Sequence, residues 1–264
     1  VASYRQNVHA YPSGGGDYEV VTTNLGPRAG VFVASALLVD YILTVAVSIS
    51  SAVANVASAV PAIGDHTVAW AVGVIVLIVL MNLRGVRESG SAFAIPVYGF
   101  ILSIFGMVGY ALFRIAQGDV LRAESAEWTV VAEGTFTGLA LAYLIARAFS
   151  SGTTALTGIE AISNGVPAFR TPKVRNAQST LVLMGSIAAC LFAGLTALAL
   201  ITGVHYAENP CDLIGFDCAN PQPSLMAQIA SATFGGGSIL FFIVQAATAC
   251  VLLLAANTAF NGFP

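Results

Sequence analysis

Between Gly30 and Ala259 the sequence falls into long apolar runs separated by short polar loops, and that partition constrains the fold more than any single motif. A bilayer crossing needs about 20 consecutive apolar residues. Five or six runs meet that length: roughly Gly30–Val60, Thr67–Leu83, Phe93–Ile115, Thr137–Val166, Thr180–Val204 and Ser238–Ala259. Ser224–Phe234 is too short to cross and reads as a surface helix. Hydrophobic residues make up 57% of the 264-residue chain and charged residues 9%, where a soluble domain carries about 25% charged residues. Mean hydropathy is +0.83. Too few charges remain to cover a water-facing surface, so an all-α polytopic membrane protein, with the lipid bilayer as its main partner, is the expected class.

The charged loops give an orientation. Arg28, Arg84, Arg87, Arg170, Lys173 and Arg175 lie on one side of the spans. The other side holds Asp65, Asp119, Glu124, Glu127, Glu133, Glu208, Asp212 and Asp217, with only Arg114 and Arg122. The basic side is expected to face the cytoplasm. That places the Cys211–Cys218 loop outside, where a disulfide is the expectation and two free thiols the alternative. Cys190 and Cys250 sit in apolar runs and read as buried free thiols. No basic patch suggests nucleic acid, and no signal peptide is visible. No His/Cys metal spacing occurs, His9, His66 and His205 all lie in loops, and neither an enzyme nor a cofactor is expected. The chain opens on Ser3-Tyr4-Arg5-Gln6 without an initiator Met and stops at Pro264, which reads as a piece of a longer membrane protein.

Two constellations carry chemistry inside the spans. A carboxylate at bilayer depth costs roughly 2.5–3.5 kcal/mol even on the lenient insertion scale, so each one is a functional candidate. Asp40 stands about ten residues into the first span, followed by Tyr41, Thr44 and Ser48. Spacing of four places Asp40, Thr44 and Ser48 on one helix face, with Tyr41 at its edge. One carboxylate, two hydroxyls and a phenol suit a hard cation. Close helix packing through small hydroxyl residues is the competing reading.

The second constellation lies in the fourth run, from Gly152 to Pro167. Ser150, Ser151, Thr153, Thr154 and Thr157 supply hydroxyls, Gly152 and Gly158 permit a helix break, and Glu160 follows. Broken helices at membrane depth are tolerated where they line a cavity, and transporters bind substrate there. Glu160 reads as a proton-coupling residue, or else as a cap on backbone N–H groups freed by the break or a brace on a neighbouring helix. Arg147, one turn earlier, reads as structural.

Gly158-Ile159-Glu160 within a broken helix resembles the Gly-x-Glu element in the sixth helix of the amino acid–polyamine–organocation (APC) transporter superfamily. Tyr11-Pro12-Ser13-Gly14-Gly15-Gly16-Asp17-Tyr18 resembles that superfamily's Pro-x-Gly-Gly-x-Tyr element, which ends its second helix. The resemblance implies a partial LeuT-like inverted-repeat fold, residues 1–264 forming one transporter domain from the end of helix two to helix eight. Ser3-Tyr4-Arg5-Gln6, Asp40-Tyr41-x-x-Thr44-x-x-x-Ser48 and Ala155–Asn164 further resemble the branch containing bacterial potassium importers. That likeness implies proton-coupled potassium uptake across a bacterial plasma membrane. By position Asp40, Tyr41, Thr44, Ser48 and Thr157 would line the path, with potassium at Thr44, Ser48 and Thr157. Thr153 joins them as a candidate from the broken stretch, and Glu160, or else Asp40, would carry the coupling proton. An amino-acid permease of the same fold and a non-transporting membrane sensor or assembly subunit are the alternatives. A homodimer formed through parts outside the chain is a further expectation.

Overall fold

The computed structural model describes residues 1–84, 90–131, 134, 136–153 and 158–261. Ten helices dominate the described residues: α1 (Ala2–Ala10), α2 (Gly16–Leu25), α3 (Pro27–Ala59), α4 (Thr67–Leu83), α5 (Gly90–Ala116), α6 (Leu139–Thr153), α7 (Ile159–Asn164), α8 (Lys173–Thr202), α9 (Leu225–Phe234) and α10 (Ile239–Asn261). Among the described residues, five helical stretches are long and apolar enough to cross a membrane: Pro27–Ala59, Pro61–Leu83, Phe93–Ala116, Lys173–Thr202 and Ile239–Phe260. At 1.5 Å per residue, α3 is roughly 50 Å long, more than a bilayer core of roughly 30 Å requires. It therefore has length to spare for a tilt.

The chain divides into two compact units, Val1–Leu38 with Ala132–Cys190, and Val39–Val131 with Leu191–Pro264. In the first, a small core gathers Val8 of α1, Ile159 of α7, Val166, and Ala177 and Leu181 of α8. The polar run at the start of the chain, which carries little helical periodicity, forms α1 all the same. Val8 is fully buried, and the Tyr4 hydroxyl donates to Asp17 at 2.7 Å. The Gly14-Gly15-Gly16 run joins α1 to α2, with all three residues at positive φ. A Cβ on Gly14 would lie 2.6 Å from the Asn164 carbonyl oxygen, and one on Gly16 would fall inside the Asn164 side chain. Only glycine lets this elbow meet the C-terminal end of α7 so closely. Gly26 then ends α2 at φ +90, and Pro27 opens α3, the position where a missing N–H costs a helix nothing.

In the second unit, Ile104, Met107 and Ala111 of α5 pack with Ala227, Ile229 and Ala230 of α9 and with Phe241 and Val244 of α10. Ile49 and Val53 of α3 meet Ile78 of α4 and Ala256 of α10. Between membrane helices such contacts gain van der Waals packing rather than hydrophobic transfer. Polar side chains add cross-links: Asn82 of α4 donates to the Asn257 side chain of α10 at 2.8 Å.

Three expectations need correction. The segment Ser224–Phe234, read as a surface helix, is buried at Ala227, Gln228, Ile229, Ala230 and Thr233. Its N-cap is Ser224, whose hydroxyl accepts from Ala227 N. At the other end, Arg114 donates to the Thr233 carbonyl at 2.9 Å and pairs with Asp119 at 2.8 Å. A guanidinium satisfies the orphan carbonyls of a helix C-terminus, so Arg114 seats α9 and is more than a loop charge. The acidic-side loops are also more ordered than polar linkers. β1 (Thr129–Val130) pairs antiparallel with β2 (Leu213–Ile214), Trp128 and Phe216 lie 4.7 Å apart, and His205 N donates to the buried Ser125 hydroxyl. Finally, Cys190 and Cys250 are exposed rather than buried. Both are thiols on outward-facing positions of apolar helices.

Candidate cation site

α3 sets the geometry of the first constellation. Its rise of 1.5 Å per residue separates Asp40 from Ser48 by roughly 12 Å along the axis. Burial grades along this stretch: Asp40 is exposed, Tyr41 and Thr44 are half-buried, and Ser48 is 9% exposed. Ser48 opens the stripe that continues through Ile49, Ala52, Val53 and Asn55 into the second unit's core. No described residue bonds to Asp40. Tyr41 also borders a cavity of about 620 Å³, lined besides by Ile42, Val45, Ala46, Ile75, Ala259 and Phe260. Among the described residues its lining is apolar except for the tyrosine, which suits an ion less well than the oxygens of Asp40, Thr44 and Ser48.

The second constellation lies in the first unit. α6 is helical through Gly152 and ends at Thr153, and α7 starts at Ile159. The side chain of Thr153 and residues 154–157, Thr157 among them, lie outside the described residues. Gly158 caps α7 at φ +94, ψ −10, a left-handed conformation that disfavours every other residue type. Its N–H donates to Oε2 of Glu160 at 3.0 Å. The carboxylate thus holds a backbone donor at the start of α7. Sequence reasoning named a cap on backbone N–H groups among the roles for Glu160. The structure contains it, and it leaves a second carboxylate oxygen for other chemistry.

On the acidic-loop side, Cys211 and Cys218 stand joined as a disulfide, with Cα atoms 4.9 Å apart, inside the usual range for such a bridge. Among the described residues no group of three or more His, Cys, Asp or Glu is placed to hold a metal ion. Sequence reasoning missed buried Asn55 and Gln228 and half-buried Ser224, all hydrogen-bonded in the second unit. Single amides and hydroxyls in apolar helices are common packing residues and gave no distinguishing pattern.

Among the described residues, five helices of span length and apolar composition define a multi-pass membrane protein. A family model described as amino acid permease matches residues 4–264. Potassium transporter KimA of Bacillus subtilis (strain 168) is 42% identical over 264 residues, which is 100% of this chain and 40% of that protein. The chain therefore spans well under half the length of that relative. It belongs to the amino acid permease family, within the APC superfamily.

Proposed function

We propose that the chain is the central part of one transporter domain that takes up potassium into a bacterial cell across the plasma membrane, coupled to protons. The observation that carries this reading is the line of oxygens on α3, from exposed Asp40 through half-buried Thr44 to buried Ser48. A carboxylate at membrane depth is costly unless it has work to do. Neutral hydroxyls beside one charge suit a monovalent cation that sheds water in stages. The relative named a potassium transporter, identical at 42% of positions across the whole chain, supports the same reading. Tyr41 and Thr157 would add oxygens, and Glu160 would carry the coupling proton. No reaction chemistry is assigned to the chain.

An amino-acid permease is the rival within the family. There, free N–H groups at the helix break would hold the substrate carboxylate. The donation of Gly158 N–H to Glu160 weighs against it, because that donor is already engaged by a carboxylate. The full-length protein reconstituted in proteoliposomes tests the choice. Rubidium uptake that potassium competes and an inward proton gradient accelerates is the expected result. Amino-acid flux without rubidium flux overturns the proposal.

Orientation is tested separately. With the basic loops cytoplasmic, the Cys211–Cys218 disulfide faces outward. Intact mass of the unreduced protein should be lower by two hydrogens across this pair. Alkylation of both thiols without reductant contradicts the assignment.

A further inference from the structure

The end of α3 remote from Arg28 carries a buried polar network that the proposed function does not use. Asn55, 2% exposed, donates from Nδ2 to the backbone carbonyl of Gln245 on α10 at 2.8 Å. Its Oδ1 accepts from the Ser224 hydroxyl at 3.1 Å. Ser224 N donates in turn to Ser58 on α3 at 2.9 Å. One turn along α9, Gln228, also 2% exposed, donates from Nε2 to the Pro223 carbonyl at 3.0 Å. Three helices are thus stitched together through amides and hydroxyls, and the network contains no titratable group.

It is also incomplete. Gln245 is 2% exposed, yet neither Nε2 nor Oε1 has a hydrogen-bond partner. Gln228 Oε1 and both amide atoms of Gln222, one residue before Pro223, are in the same condition. A buried amide without partners costs about 1–3 kcal/mol, so five such atoms attached to one junction call for an occupant. Its chemistry follows from the atom types. Three of the atoms are acceptors and two are N–H donors. A cation satisfies acceptors and repels donors, and an anion does the reverse. Water does both, and buried water characteristically makes about three hydrogen bonds to groups of this kind.

We propose that the α3–α9–α10 junction is a water-binding site in which ordered water bridges the side-chain amides of Gln222, Gln228 and Gln245. Water here is part of the interhelical seal rather than of the cation path, and the proposal stands whatever the protein transports. Gln245→Leu in the full-length protein gives a result whose sign decides. If water is bound, leucine strands the water's remaining partners, and Tm falls by roughly 2–4 °C, the scale of one unmade hydrogen bond. If the junction is dry, leucine removes an unsatisfied amide at similar volume, and an unchanged or raised Tm overturns the proposal. Should the variant fail to fold, a wild-type structure at a resolution that shows solvent decides instead. Density for water within hydrogen-bonding distance of Gln245 Nε2 is expected. A dry contact there, or an anomalous rubidium signal at the junction, overturns it.

Discussion

Asp40→Asn is expected to lower rubidium uptake by roughly 100-fold while leaving the protein at least as stable as the parent. The two halves of this expectation come from one fact: Asp40 is exposed on α3 and bonds to no described residue. The described packing does not depend on its charge, and an exposed substitution away from special features changes stability by about 0.5 kcal/mol or less. Removing a carboxylate from bilayer depth acts in the stabilising direction. Transport behaves oppositely if the charge offsets dehydration of the passing ion. A charge–ligand contact worth about 3 kcal/mol corresponds to roughly 100-fold at 1.4 kcal/mol per tenfold. Ser48→Ala should be milder, roughly tenfold, because a neutral hydroxyl is one oxygen among several. Initial rubidium rates and thermal unfolding, measured on the same preparation, check both. Uptake preserved in Asp40→Asn removes the carboxylate from the transport path. Uptake lost together with stability makes Asp40 a structural partner for residues outside this chain.

Much of the helical framework was legible in the sequence because hydropathy reports membrane depth directly. The span read at Thr67–Leu83 is α4 with the same ends, since the flanking Pro61–His66 turn and Arg84 mark both limits. α8 instead begins at Lys173, about two turns before the apolar run. Its first residues are polar, and hydropathy cannot distinguish a helix that projects from the bilayer from a loop. α1 gives no hydropathy signal for a similar reason, and only the family resemblance implied a helix before Pro12: α1 is polar, and Val8 packs against α7 and α8, contacts distant in sequence. The two-residue strands β1 and β2 are too short to carry an alternating pattern. α9 was recognised as a helix but placed on the surface, because its length and mixed composition are equally compatible with an interface and a core. The candidate site was legible by residue type. Asp40 and Glu160 announce themselves as carboxylates in apolar runs. The neutral amides of Asn55, Gln228 and Gln245 do not, and only the bonds of Asn55 to α10 and to the start of α9 separate that junction from ordinary helix packing.

Glu160→Gln and Glu160→Ala are expected to separate the two roles assigned to one side chain. The carboxylate accepts the Gly158 N–H at 3.0 Å, at the start of a helix only six residues long. Gly158 is held in the left-handed region there, and its N–H has no intrahelical acceptor, as at any helix start. Glutamine keeps a carbonyl oxygen in reach of that donor, so the cap survives with a neutral acceptor, at a cost of about 1 kcal/mol or less. Alanine removes it and leaves α7 without its N-terminal anchor. Neither residue can take up and release a proton in this range. In Glu160→Gln, rubidium uptake driven by its own gradient should persist within roughly threefold, the rate equivalent of about 0.7 kcal/mol. The acceleration by an imposed inward proton gradient should disappear. In Glu160→Ala both should fall, with a lower Tm. Flux measured with and without a pH gradient, at equal rubidium gradients, separates the cases. If Glu160→Gln still accelerates under the proton gradient, the carboxylate is a cap alone and the coupling proton belongs elsewhere. If Glu160→Ala matches Glu160→Gln in Tm and in gradient-driven uptake, the bond to Gly158 carries no measurable part of the start of α7.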